Sequence, residues 1–193
     1  MSVVTIHESA RLIGTVECRL PDYELGSDRT HMRILGIDPG LSLTGYGCVD
    51  LASDGDEPTL VEAGVLRLKA RSTMAFRLGQ LYEDLCELLD ELKPESMVVE
   101  ELFTHHRYVR TGLLMAHARG VVLLAGQVRG IELEELAVTE IKRAITGNGH
   151  ATKEQMQQAV MNQCRLLQPP SPPDVADAIA IALCAARRIS SVR

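Results

Sequence analysis

The sequence predicts an α/β fold: a five-stranded mixed sheet flanked by helices on both faces. Three observations lead there. Three short apolar stretches come first, separated by turn residues. Helical patterns then alternate with two more short apolar stretches, one of them ending on an acid. Finally, the 193 residues suffice for one buried core but not clearly for two.

Taken in order, Ile34-Leu35-Gly36-Ile37-Asp38 is an apolar run closed by Pro39-Gly40, which reads as a buried strand and a tight turn. Residues 44–49 and 60–68 read as two further strands, joined through Ser53-Asp54-Gly55-Asp56. Met74, Leu78, Leu81, Tyr82, Leu85, Leu88, Leu89 and Leu92 recur at helical spacing and predict an amphipathic helix that stops before Pro94. Met97-Val98-Val99-Glu100 is the fourth strand. The strongly apolar stretch 113–128 is expected to be the central core helix and part of a subunit interface. Residues 131–138 form the fifth strand, with Thr139 as cap of a short helix. Thr152 and Gln155 form a capping-box pattern opening the next helix. A stiff Pro-rich linker, 168–173, leads to a last helix over 174–189.

Residues 1–31 lack sustained periodicity. They read as an N-terminal extension, disordered or lying upstream of a true start at Met32, with a small added strand pair as the alternative; residues 32–190 form the domain. A composition of 46% hydrophobic and 24% charged residues argues against a mainly disordered chain. No apolar run reaches the roughly 20 residues of a membrane helix, and no secretory signal pattern opens the chain. Cys18, Cys48, Cys86, Cys164 and Cys184 are scattered and never form a CxxC pair, which suggests reduced thiols in the cytoplasm. The net charge of −6 lends no support to a nucleic-acid partner, and the acidic excess persists without residues 1–31.

The chemistry resides in carboxylates. Asp38 and Glu100 each end a predicted strand, where open α/β sheets gather their active sites. Asp174 and Asp177 lie three apart at a helix start and so share a face. Individually each has an ordinary role: turn chemistry for Asp38, a solvated surface for Glu100, a helix dipole for Asp174. Together they would repel one another unless cations intervene. Mg²⁺ prefers such oxygen ligands together with water and substrate phosphate, and two such ions suit phosphodiester hydrolysis. His105, His106 and His117 make no convincing metal triad, since adjacent strand residues face opposite ways. Gly147-Asn148-Gly149 fits no phosphate-loop pattern and reads as a loop.

Residues 33–49, RILGIDPGLSLTGYGCV, resemble the opening motif of the RuvC family of Holliday-junction resolvases. Val98-Val99-Glu100-Glu101-Leu102-Phe103 resembles its second catalytic strand, the segment from Glu140 to Lys153 its basic region, and residues 173–180 its C-terminal catalytic helix. The matches run in order from about Met32 to Arg188. The resemblance implies an RNase H-like fold, a homodimer, and Mg²⁺-dependent paired nicking of four-way junction DNA, with Mn²⁺ able to substitute. It also implies a cytoplasmic location and a RuvA–RuvB branch-migration complex as partner. Asp38, Glu100, Asp174 and Asp177 match the metal-binding catalytic set. Lys142 and Lys153 match basic positions that would attend a phosphate, and Phe103 matches an aromatic that works on bases. The segment 103–110 departs from the family pattern and is one residue longer. Its Phe103, Arg107, Tyr108 and Arg110 suit stacking on unpaired bases and contact with phosphate. Glu101 stands where the family often has an amide.

Three other functions compete with this one. They are an RNase H-like nuclease for RNA–DNA hybrids or structured RNA, a junction-binding protein without catalysis, and, more distantly, an actin-like kinase, for which the chain is short.

Overall fold

The computed structural model describes residues 4–9, 14–16, 31–52, 57–102 and 109–192. Its sheet grows from β3 (His31–Asp38). β4 (Leu43–Ala52) and then β5 (Thr59–Arg67) lie antiparallel beside it. On the other side β6 (Ser96–Glu100) and β7 (Glu132–Leu136) add in parallel, each after a helical crossover. These are the five strands expected. Residues of the N-terminal extension add two more, the strand pair weighed as the alternative: β1 (Val4–Ser9) runs parallel to β5, and β2 (Gly14–Val16) is antiparallel to β1. The full order is β2-β1-β5-β4-β3-β6-β7.

Side chains alternate across a strand, and the alternation divides the core into two layers. Leu35, Ile37, Met97 and Val99 face α1 (Met74–Leu92) and α2 (Val109–Val128). Ile34 and Val98 face α3 (Val138–Thr146), α4 (Lys153–Gln163) and α5 (Pro173–Val192). Continuing by twos from Ile34 gives Gly36 and Asp38, and from Val98 gives Glu100. Both strand-end acids therefore belong to the α5 layer.

The helix ends follow local chemistry. Thr73 caps α1 by accepting from the Phe76 N–H at 3.3 Å. Lys93 closes that helix in the left-handed region (φ 51°), just before Pro94. The capping box of α4 forms as expected, with Gln155 N–H on the Thr152 hydroxyl and Thr152 N–H on Gln155 Oε1, 3.3 and 2.9 Å. Thr139 is not a cap. Ala137 holds that position in α3, without a side-chain bond, because the helix starts two residues earlier than the hydroxyl pattern suggested.

The central core helix is α5, not α2. From Val175 to Ala186 nearly every α5 side chain is buried against β3, β4 and β5 or the neighbouring helices. Its alanines let it lie almost in contact with the sheet backbone. In α2, Ala118, Val122 and Ala125 are buried, while Leu113, Leu124 and Val128 are more than half exposed. The stretch 111–128 is in fact long and apolar enough to cross a membrane. Run length alone missed this because Arg119 interrupts it. That arginine pairs with Glu135 on β7, and the buried face packs against the sheet.

Candidate active site

The sheet closes its C-terminal edge with an open cleft of about 620 Å³. All four predicted acids line it, as do Lys142 and Lys153. Phe103, Arg107 and Tyr108 lie outside the described residues, and Arg110 falls in the first turn of α2.

Asp38 is the last residue of β3, and a fixed turn follows it. The wholly buried Thr44 donates its hydroxyl to the Gly40 carbonyl at 2.7 Å and accepts from the Gly40 N–H at 3.2 Å. Opposite Asp38 in the ladder stands Gly45. A Cβ there would lie 2.1 Å from the Asp174 carbonyl oxygen, and one at Gly36 would lie 2.4 Å from that of Ala178. Strand and helix backbones touch where side chains would otherwise hold them apart. That contact brings the N-terminal end of α5, with Asp174 and Asp177, over the end of β3.

Glu100 ends β6. The ladder with β7 continues beyond it through the Glu101 N–H and the Leu136 carbonyl (2.9 Å), and Arg119 Nε reaches the Glu100 carbonyl at 3.4 Å. Glu101, one residue on, is exposed and does not line the cleft. Lys142 reaches the cleft from α3. Lys153 sits in the first turn of α4, where the helix dipole disfavours a cation, and its Nζ is 3.7 Å from Asp177 Oδ2. An exposed pair of this kind contributes little stability. Its significance is electrostatic.

The acids perturb one another. Burial, then the Asp177, Glu100 and Asp174 charges, push the Asp38 carboxyl up to about 8, with Lys153 opposing. Glu100 is raised by burial and by Asp177, against Lys142 and Lys153. Asp177 is raised by burial, with Lys153 opposing and Asp174 adding to the rise. A cluster that resists holding its full negative charge has a deficit of positive charge. Among the described residues no three Asp, Glu, His or Cys side chains close into a ready-made coordination shell. The donor set still fits a hard divalent cation, which uses one or two carboxylates and fills its remaining positions with water and phosphate.

Several residues that the sequence reading passed over also shape the site. Arg77, Ser42 and Thr111 line the cleft, and Arg119 tethers the end of β6. A single arginine on an amphipathic helix has no sequence mark to set it apart. Only the packing of α1 beside the turn after β3 shows where Arg77 goes.

Fold and site together define an RNase H-like nuclease domain. A family model described as "Crossover junction endodeoxyribonuclease RuvC" matches residues 34–185. Proteins of that name from Rhodopirellula baltica and Halorhodospira halophila are each 43% identical, over 151 and 159 residues. They cover 78% and 82% of this chain, which spans 84% and 92% of theirs. The structure of T. thermophilus RuvC in complex with a Holliday junction substrate superposes with a TM-score of 0.76 at 30% identity, covering 84% of this chain and 97% of that one. The chain belongs to the RuvC family, whose nucleases are metal-dependent.

Proposed function

We propose that this protein resolves four-way DNA junctions in recombination and repair, hydrolysing one phosphodiester in each of two strands of like polarity. The products are 5′-phosphate and 3′-hydroxyl ends, ready for ligation. The observation that carries this reading is the convergence of Asp38, Glu100, Asp174 and Asp177, with Lys142 and Lys153, on one cleft.

Asp38, Glu100, Asp174 and Asp177 would hold Mg²⁺, two ions per site, with Mn²⁺ as a substitute. Bound there, the cations supply an activated water and stabilise the departing oxygen. The remaining work falls to the chain. Thr44 fixes the turn that presents Asp38, and the Gly45 contact fixes Asp174 relative to it. Lys142 and Lys153 attract the substrate phosphate and offset charge that builds on it during attack. An acid cluster would otherwise repel DNA, so the lysines also make approach possible at all. Phe103, Arg107, Tyr108 and Arg110 are proposed to meet the unpaired bases and flanking phosphates of the junction.

Two symmetric cuts suit a homodimer with an isologous interface. The exposed stripe Leu113, Leu124 and Val128 on α2 supports one, being an apolar surface without a partner among the described residues. A RuvA–RuvB branch-migration complex is the proposed source of substrate. A chromosomal substrate implies a cytoplasmic location.

The test is strand-specific cleavage of a mobile synthetic junction, beside matched duplex and RNA–DNA hybrid, in Mg²⁺ and then in EDTA. Paired, metal-dependent nicks confined to the junction and lost in Asp174→Asn are expected. Faster cutting of the hybrid, or binding without cutting, would replace this reading with one of its rivals.

A further inference from the structure

We propose that Arg77 is a DNA-contacting residue that holds a backbone phosphate on the side of the cleft opposite Lys142 and Lys153. The assignment rests on the reading of the cleft as a DNA site and adds a second wall to it.

Arg77 lies on α1, which packs on the Leu35 and Ile37 face of the sheet. Lys142 and Lys153 come from α3 and α4, which pack on the opposite face. All three line the same cleft. A strand crossing the C-terminal edge of the sheet would therefore meet a cation from each face, in the cleft that the four acids also line.

The state of the guanidinium separates this role from simple bracing. One of its nitrogens, Nη2, donates to the Leu41 carbonyl and lies 3.4 Å from the Ser42 hydroxyl. That contact anchors the side chain to the turn after Asp38. Its Nε is buried and has no hydrogen-bond partner. Among the described residues no carboxylate pairs with it. A brace for one carbonyl needs a single donor, whereas an arginine presents five in a planar fork that matches phosphate. The second terminal nitrogen, Nη1, makes no hydrogen bond among the described residues, so it is left to donate to a phosphate, which would also neutralise the charge.

Junction binding measured in EDTA across a series of salt concentrations tests the assignment, because cutting then does not intervene. Each phosphate contact contributes about 0.9 to the slope of log affinity against log salt. Arg77→Gln retains a donor for Leu41 and removes the charge, so its slope should be shallower by about 0.9. Arg77→Lys should keep the wild-type slope. A residue that only braces the turn would leave the slope unchanged in both variants. Equal slopes for wild type and Arg77→Gln overturn the assignment and leave the resolvase reading standing. A wild-type protein that neither binds nor cuts the junction overturns that reading, and the assignment with it.

Discussion

Replacing Gly45 by alanine inserts a methyl group into the seam that seats α5 on the sheet. The new Cβ would lie 2.1 Å from the Asp174 carbonyl oxygen and 2.6 Å from its carbonyl carbon. Non-bonded atoms settle at about 3.5 Å, so strand and helix must part by more than about 1 Å. The obstacle is backbone on both sides, and no side-chain rotation relieves it. Overpacking of this kind costs about 1–3 kcal/mol, which a domain with about 5–15 kcal/mol of stability survives folded. The larger effect falls on the chemistry, because the atoms displaced belong to Asp174. A shift of about 1 Å in a reacting constellation costs on the order of 100-fold in rate, or about 2.7 kcal/mol in barrier height. The assay is single-turnover junction cleavage at saturating Mg²⁺, alongside thermal unfolding. Gly79→Ala is the control: it lies within α1, a Cβ there meets nothing within 4 Å, and it should cut normally and unfold no earlier. A Gly45→Ala protein that cuts within twofold of wild type would refute the claim that the seam sets the position of Asp174.

The raised Asp38 carboxyl predicts a pH effect in metal-free protein. Its folded value near 8 lies above the ordinary 3.8, so the folded state holds a proton that the unfolded chain releases, and stability falls as pH rises from about 4 to about 8. In EDTA, wild-type Tm should therefore decline over this range more steeply than that of Asp38→Asn; parallel curves would sink the idea. Thr44→Val leaves Gly40 without its hydroxyl partner and should cost about 1–3 kcal/mol, near 2–4 °C of Tm for each kcal/mol, with slower cleavage; an unchanged Tm would show that the turn holds itself. Leu124→Glu puts a charge on the exposed stripe of α2 and should shift the protein from dimer to monomer in sedimentation. A variant still dimeric at micromolar concentration would move the interface elsewhere.

Much of this architecture was legible in the residues. The 3.6-residue period of Leu81, Leu85, Leu88 and Leu92 identified α1, and Thr152 with Gln155 identified the start of α4. Both signals are local, and local energetics decide them. The four acids were legible as strand ends and a helix start. Which helix lies at the centre was not. Hydropathy ranks the leucine-rich α2 above the alanine-rich α5, but burial depends on how closely a helix can approach. That is decided by Gly36 and Gly45, on strands distant in sequence from α5. Arg77 was missed for the same reason, since its place comes from packing and not from any pattern around it. The pairing of β1 with β5 is likewise long-range, and residues 1–31 carry no period that announces it.

The seam also works as a gauge of chain length. Gly36 and Gly45 accept the helix backbone at Ala178 and Asp174, so α5 is notched to the sheet at two points along its axis. Each residue of a helix advances it by about 1.5 Å and turns it by about 100°. One residue inserted between these notches would rotate Asp174 and Asp177 out of the cleft or lift the rest of the helix from its seat. Length variation is therefore forbidden along the first two turns of this helix, and the spacing from Asp174 to Ala178 is as much a part of the site as the acids themselves.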